Sequence, residues 1–109
     1  MTSDTTHMRL EIEEIPDATR RLLAESAGQM EAAGAAIREK QPVMIATIAR
    51  GSSDHATAFL KYAIELTAGV PVASIGPSIV SIYGRELKLE RCAALAISQS
   101  GKSPDIVAM

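Results

Sequence analysis

Three apolar runs, each followed by a polar cluster, set the rhythm of this chain. The first, VMIATIA at 43–49, is continuous and rich in β-branched residues. An apolar run without alternation implies burial on both faces, as for a central parallel strand. It ends in RGSSDHA, after which AFLKYAIELTAG predicts a helix with Phe59, Leu60, Ala63, Ile64 and Thr67 on one side. Gly69 stands where a helix C′ residue belongs. VPVASI (70–75) predicts a second short strand, and GPSIVSIYG (76–84) reads as a loop with a short helix. CAALAIS (92–98) is the third strand. Ser103-Pro104-Asp105 then opens another helix, with a favoured N-cap, a proline suited to the first position and an early acidic residue.

Before these runs, residues 1–8 are polar and unpatterned and read as a disordered tail, so His7 is a tail residue and not a ligand. From Pro16 the pattern is helical. Asp17 is placed to cap, and Leu22, Leu23, Ala27, Met30, Ala33 and Ile37 recur at intervals of three to four, a stripe that reads as core packing. Gly28 and Gly34 weaken that helix but permit close packing. Gln41-Pro42 ends it. A lead-in helix over 9–41 therefore precedes an alternating region, 42–109, whose order of strands and helices predicts a right-handed parallel α/β layer. Three strands make a small doubly wound sheet, and strands buried on both faces need neighbours. The expectation is part of a longer protein or half of an assembly, with an unusually minimal domain as the alternative.

Composition narrows the function classes. Hydrophobic residues make up 47% of the 109 and aromatics 3%, so Ala, Ile, Leu and Val must fill the core. The formal charge of -2, from 11 basic and 13 acidic residues, gives no whole-chain field for nucleic acid or an anionic membrane surface. A single cysteine, Cys92, cannot form an internal disulfide, and no Cys/His cluster has metal-ligand spacing. No signal-like or membrane-spanning apolar run is present, which predicts a cytoplasmic protein with neither metal nor cofactor. Any anion has to be held by local geometry.

Two polar clusters offer that geometry: Arg50-Gly51-Ser52-Ser53-Asp54 and Ser98-Gln99-Ser100-Gly101-Lys102-Ser103. Both follow strands, and in an open parallel sheet the carboxyl ends of the strands share the edge where ligands collect. Serine hydroxyls supply neutral donors, and glycine lets the backbone come close. Such a nest suits a phosphate monoester; Lys102 either adds charge to it or extends into solvent. For one serine-glycine loop alone, turn and cap formation is the better account. Two such loops at one edge favour a ligand site. Neither a Walker loop nor a dinucleotide-binding GxGxxG is present.

VMIATIARGSSDHA followed by LAISQSGKSPDIV resembles the first half of a SIS (sugar isomerase) domain, and MRLEIEEIPDATRRLL at 8–23 is similar to that family's lead-in helix. The family includes the isomerase part of glutamine–fructose-6-phosphate aminotransferase and stand-alone relatives without a glutaminase domain, among them glucosamine-6-phosphate deaminases. The resemblance implies a three-layer, flavodoxin-like α/β/α sandwich with a parallel sheet, left incomplete after the SQSG loop. It also implies a homodimer or higher oligomer, and a sugar phosphate (fructose 6-phosphate or glucosamine 6-phosphate) as ligand. Carried over by motif, Ser98, Gln99, Ser100 and Ser103 bind the phosphate, and Ser52 and Ser53 contact phosphate or sugar. Lys102 replaces the common glutamate of SQSGET, and Arg50 the cysteine of CGTS; both departures resemble the stand-alone branch.

The implied reaction moves a proton between C1 and C2 of the opened sugar, which needs a general base over the carbon. Asp54 and His55 adjoin the first loop and Asp105 the last helix, yet Asp54 reads as a helix cap and His55 as a helix-start residue. In the family the base and the ring-opening histidine come from later sequence. The amidotransferase glutaminase uses an N-terminal cysteine nucleophile, whereas position 2 is Thr2 and Cys92 lies on a strand, so ammonia is the expected nitrogen partner. A non-catalytic SIS-type sensor or regulator of sugar phosphate is the alternative to the enzyme. A purely structural role, with the serines as caps in an oligomerisation module, is the third reading.

Overall fold

The computed structural model of the chain describes residues 5–109. Its elements are α1 (His7–Lys40), β1 (Met44–Ala49), α2 (Ser52–Ala68), β2 (Val72–Ile75), α3 (Ser78–Ser81), β3 (Cys92–Ile97) and α4 (Pro104–Val107). They divide into two compact units, one ending at Ala36 and the other spanning Ile37–Met109. The second unit has an α/β fold.

The three strands form one parallel sheet in the order β2-β1-β3. Its centre is β1, where Ile45, Ala46, Thr47, Ile48 and Ala49 are all buried, as the unalternating run 43–49 predicts. A strand with neighbours on both sides and helix α2 packed over it keeps no wet face, so only apolar and small side chains suit it. On β3, by contrast, Ala94 and Ala96 are exposed while their neighbours are half-buried. Helix α2 ends at Gly69, which takes a left-handed conformation (φ 67°) and donates its N–H to the Glu65 carbonyl at 3.2 Å. That is the C′ role its position in the sequence implies.

A small polar junction fixes α2 to β2. The Glu65 carboxylate accepts from Lys61 Nζ at 2.9 Å and from the Val72 N–H at 3.2 Å, while Lys61 Nζ also donates to the Val72 carbonyl at 2.8 Å. The Lys61 hydrogen bond, followed by that of Val72, holds the Glu65 carboxyl below its ordinary value of 4.5. A carboxyl depressed by folding contributes stability above its unfolded value and loses it as pH falls through the folded one. Glu65→Gln is therefore expected to be less stable than the parent at neutral pH. The difference should close as pH falls through the parent's folded-state value, below 4.5, where its carboxylate is protonated too. Thermal midpoints of both proteins across that range check this.

In the first unit, α1 starts earlier than the sequence predicts. Residues 1–4 of the expected tail lie outside the described residues, but the helix begins at His7. Thr6 opens it: its hydroxyl accepts from the Arg9 N–H at 3.3 Å and its carbonyl from the Leu10 N–H at 3.1 Å. Pro16, read as the helix start, lies in the interior, and Asp17 is no cap. Proline removes one helical hydrogen bond there. Side-chain ion pairs continue on both sides of it, Arg9 with Glu13 (2.9 Å) before, Arg20 with Asp17 after, and Arg21 with Glu14 (2.9 Å) across.

The apolar stripe is also corrected. No residue of α1 is buried, and Leu22, Leu23 and Met30 are more than half exposed. Periodicity sorts a helix into faces, but a lone helix offers nothing within its unit to cover one of them. Gly28 likewise serves no close packing, since a Cβ built there meets nothing within 4 Å. Gly28→Ala is expected to stabilise the helix by about 0.5–1 kcal/mol, through backbone entropy alone. Helicity by circular dichroism, followed through chemical denaturation, measures it.

Candidate functional site

The order β2-β1-β3 has a consequence for where a ligand sits. From β1 the chain first moves to β2 on one side, then crosses back to lay β3 on the other. The strand order thus reverses between β1 and β3, and in doubly wound sheets the crevice outside the carboxyl ends at that reversal is the usual ligand position. Here the last register pair is Ala49 with Ile97. Arg50 and Ser98, the next residue of each strand, therefore leave the sheet side by side.

Each loop turns on a glycine with positive φ, Gly51 at 60° and Gly101 at 67°. An added Cβ at either meets nothing within 4 Å, so conformation and not space selects glycine. Between the loops lies a recess of about 160 Å³, lined by Arg50, Ser53, Ile97, Ser98, Gln99, Ser100, Ser103 and Ile106. One water needs about 10–15 Å³ of such space, so the recess admits a considerably larger group. Five of the six candidate residues from the sequence meet here. Ser52, the first residue of α2, is exposed and does not line this recess, nor does Lys102.

The hydroxyls are arranged as donors. Ser98 Oγ accepts from the Gly101 N–H at 2.9 Å, and Ser100 Oγ from the Lys102 N–H at 3.2 Å. Each serine thereby fills a lone pair within its own loop, and its O–H hydrogen stays available for an acceptor. Ser103 stands at the N-cap of α4 without making a side-chain capping bond, so the cap role expected of its hydroxyl is not exercised. Asp54 departs from its expected role as well. Gly51 holds the N-cap position of α2, and the Asp54 carboxylate accepts from Thr57 Oγ1 (3.1 Å) and Ser74 Oγ (3.3 Å) in a separate hollow of about 150 Å³ beside β2.

Sequence reasoning placed Arg50 in the first polar cluster and noted that the family carries cysteine there, but gave it no role in the site. Arg50 lines the recess, and its guanidinium pairs with Asp105 Oδ2 at 2.7 Å, linking the end of β1 to α4. With the Arg50 side chain half exposed, such a pair contributes only about 0–1 kcal/mol to folding. Opposite charges that close over a span of this length leave no local sequence signal. No carboxylate or imidazole lines the recess among the described residues. Cys92, the free cysteine, sits at the opposite end of β3, five residues of strand or about 17 Å away.

No family model matches the chain, and no curated protein matches it either. A solved structure does: a "putative phosphosugar isomerase" from Silicibacter pomeroyi DSS-3, 55% identical over 95% of this chain, with a TM-score of 0.86. The chain spans about a third of that protein's length, 32%.

Proposed function

We propose that these residues form the sugar-phosphate-binding part of an SIS-type phosphosugar isomerase, and that the recess between β1 and β3 receives the phosphoryl group. The single observation that carries this is the convergence of Ser53 with Ser98, Gln99, Ser100 and Ser103 on one cavity at the switch point of the sheet. The likeness to the Silicibacter protein supports the same domain type and a sugar-phosphate isomerase-related function. Among the described residues the hydroxyls of Ser98, Ser100 and Ser103 donate to no acceptor, and a phosphate monoester offers several acceptors to such donors.

The role of this stretch in the reaction is orientation. Binding energy gathered at the remote phosphoryl group fixes the sugar carbons relative to whatever base acts on them, and so lowers the entropic barrier. Among the described residues the recess is lined by no carboxylate or imidazole, and in this reading the base comes from other sequence. Within this reading the substrate is fructose 6-phosphate or glucosamine 6-phosphate, interconverted with ammonia as nitrogen partner. Cys92 lies at the far end of its strand from the recess, which speaks against glutamine hydrolysis at this site.

Thermal-shift titration tests the proposal. Fructose 6-phosphate, glucosamine 6-phosphate and inorganic phosphate are expected to raise the unfolding midpoint, and fructose and glucosamine to leave it unchanged. A ligand at a hundred times its Kd adds about 2.7 kcal/mol. Equal responses to fructose and its 6-phosphate sink the phosphoryl assignment. Release of ammonia from glucosamine 6-phosphate by the full-length protein selects a deaminase over a simple isomerase or a sensor.

A further inference from the structure

Among the described residues that line the recess, Arg50 is the one cation. The serine hydroxyls and the Gln99 amide are neutral, and Lys102 does not line the cavity. A dianionic phosphoryl group therefore finds its only countercharge among the described lining residues at Arg50. Arginine presents five N–H donors in a planar fork that matches phosphate, and the ion pair recorded here engages Nη1 with Asp105 Oδ2.

We propose that Arg50 is a specificity-determining residue of this site: oriented by Asp105 at the start of α4, its guanidinium binds the phosphoryl group directly and discriminates phosphorylated from unphosphorylated sugars. The inference rests on the reading that the recess receives a sugar phosphate. The pairing makes two demands on the anion. Asp105 fixes the direction of the fork, so that its remaining donors are ordered before the ligand arrives, which lessens the ordering cost of binding. The same carboxylate is itself negative, and only Arg50 offsets it. Loss of Arg50 consequently removes an attraction and also uncovers a repulsion.

The asymmetry gives a test in the full-length protein, by calorimetric titration with inorganic phosphate and fructose 6-phosphate. Arg50→Gln is expected to weaken both at least tenfold and to flatten the dependence of affinity on salt concentration. Arg50→Lys, which keeps a charge but not the fork, should fall between it and the parent. The double variant Arg50→Gln/Asp105→Asn should bind more tightly than Arg50→Gln alone, because the uncovered carboxylate is gone. Asp105→Asn by itself should lose far less than Arg50→Gln.

Parent-like affinity in Arg50→Gln overturns the proposal. So does an equal loss in Arg50→Gln and Asp105→Asn with no recovery in the double variant, the pattern of a mere strut between loops. If the parent binds neither probe, the phosphate reading of the recess fails and this assignment with it. If the parent binds and Ser100→Ala weakens binding while Arg50→Gln does not, the recess reading stands and only Arg50 is removed from it. Should Arg50→Gln fold poorly by circular dichroism, Arg50→Lys and the salt dependence of the parent decide: unaltered affinity in the lysine variant together with a flat salt response is the overturning result.

Discussion

Replacing Ser98 and Ser100 together by alanine is expected to reduce affinity for a sugar phosphate by several hundredfold without unfolding the protein. Each hydroxyl donates to a charged acceptor in the proposed complex, and hydrogen bonds to charged groups contribute about 1.5–3 kcal/mol. Every 1.4 kcal/mol is about tenfold, so two independent losses multiply to a few hundredfold or more. The two serines share one loop, and coupling between them can pull the double variant away from the product of the singles. Folding should be nearly untouched. The hydroxyls accept from the Gly101 and Lys102 N–H groups on an exposed loop, where water can take their place. Surface changes of that kind stay within about 0.5 kcal/mol. Titration calorimetry beside denaturant unfolding separates the two effects. Parent-like affinity in the double variant refutes the hydroxyl cradle.

Stability should be lost instead at the centre of the sheet. Ile48 is 7% exposed on a strand with neighbours on both sides. Ile48→Ala removes transfer energy and leaves a hole, a combination that costs about 2–5 kcal/mol. Against a total of about 5–15 kcal/mol for a typical domain, that is a large share. Leu22→Ala, at a side chain 53% exposed on α1, should cost no more than about 0.5 kcal/mol. Denaturation midpoints of the two variants give the comparison. A cost at Leu22 equal to that at Ile48 means that α1 has a covered face.

Those two leucine-like positions also mark what could be read from the chain and what could not. The run 43–49 announces its environment at 45–49, where apolar and small residues follow without alternation and all are buried, while Val43 ahead of the strand stays half exposed. Gly69 and Ser103-Pro104 mark ends because backbone conformation at a terminus restricts residue type. The stripe from Leu22 to Ile37 carries period but not partner, and its expected burial fails for that reason. Pro16 misleads in the other direction. Its cost is local and fixed, while the capping by Thr6 lies ten residues earlier and the ion pairs around it, from Glu14 and Asp17, close on arginines further along the helix. At the site, serine and glycine content marks both loops, and the parallel layer brings them to one edge. Which residues then face the cavity depends on register: Ser53 does and Ser52 does not. Arg50 meets Asp105 only because Ala49 and Ile97 are the final rung of the β1–β3 ladder.

That final rung ties recognition to the folding route. The third strand reaches its place only after the chain has passed over the first, a long closure whose entropy must be met before its contacts form. A molecule held across both loops staples the late-arriving strand to its template. Refolding in the presence of phosphate should accordingly protect the amides of β3 from exchange sooner than refolding without it, and leave the timing at β2, whose partner is already close at hand, unchanged.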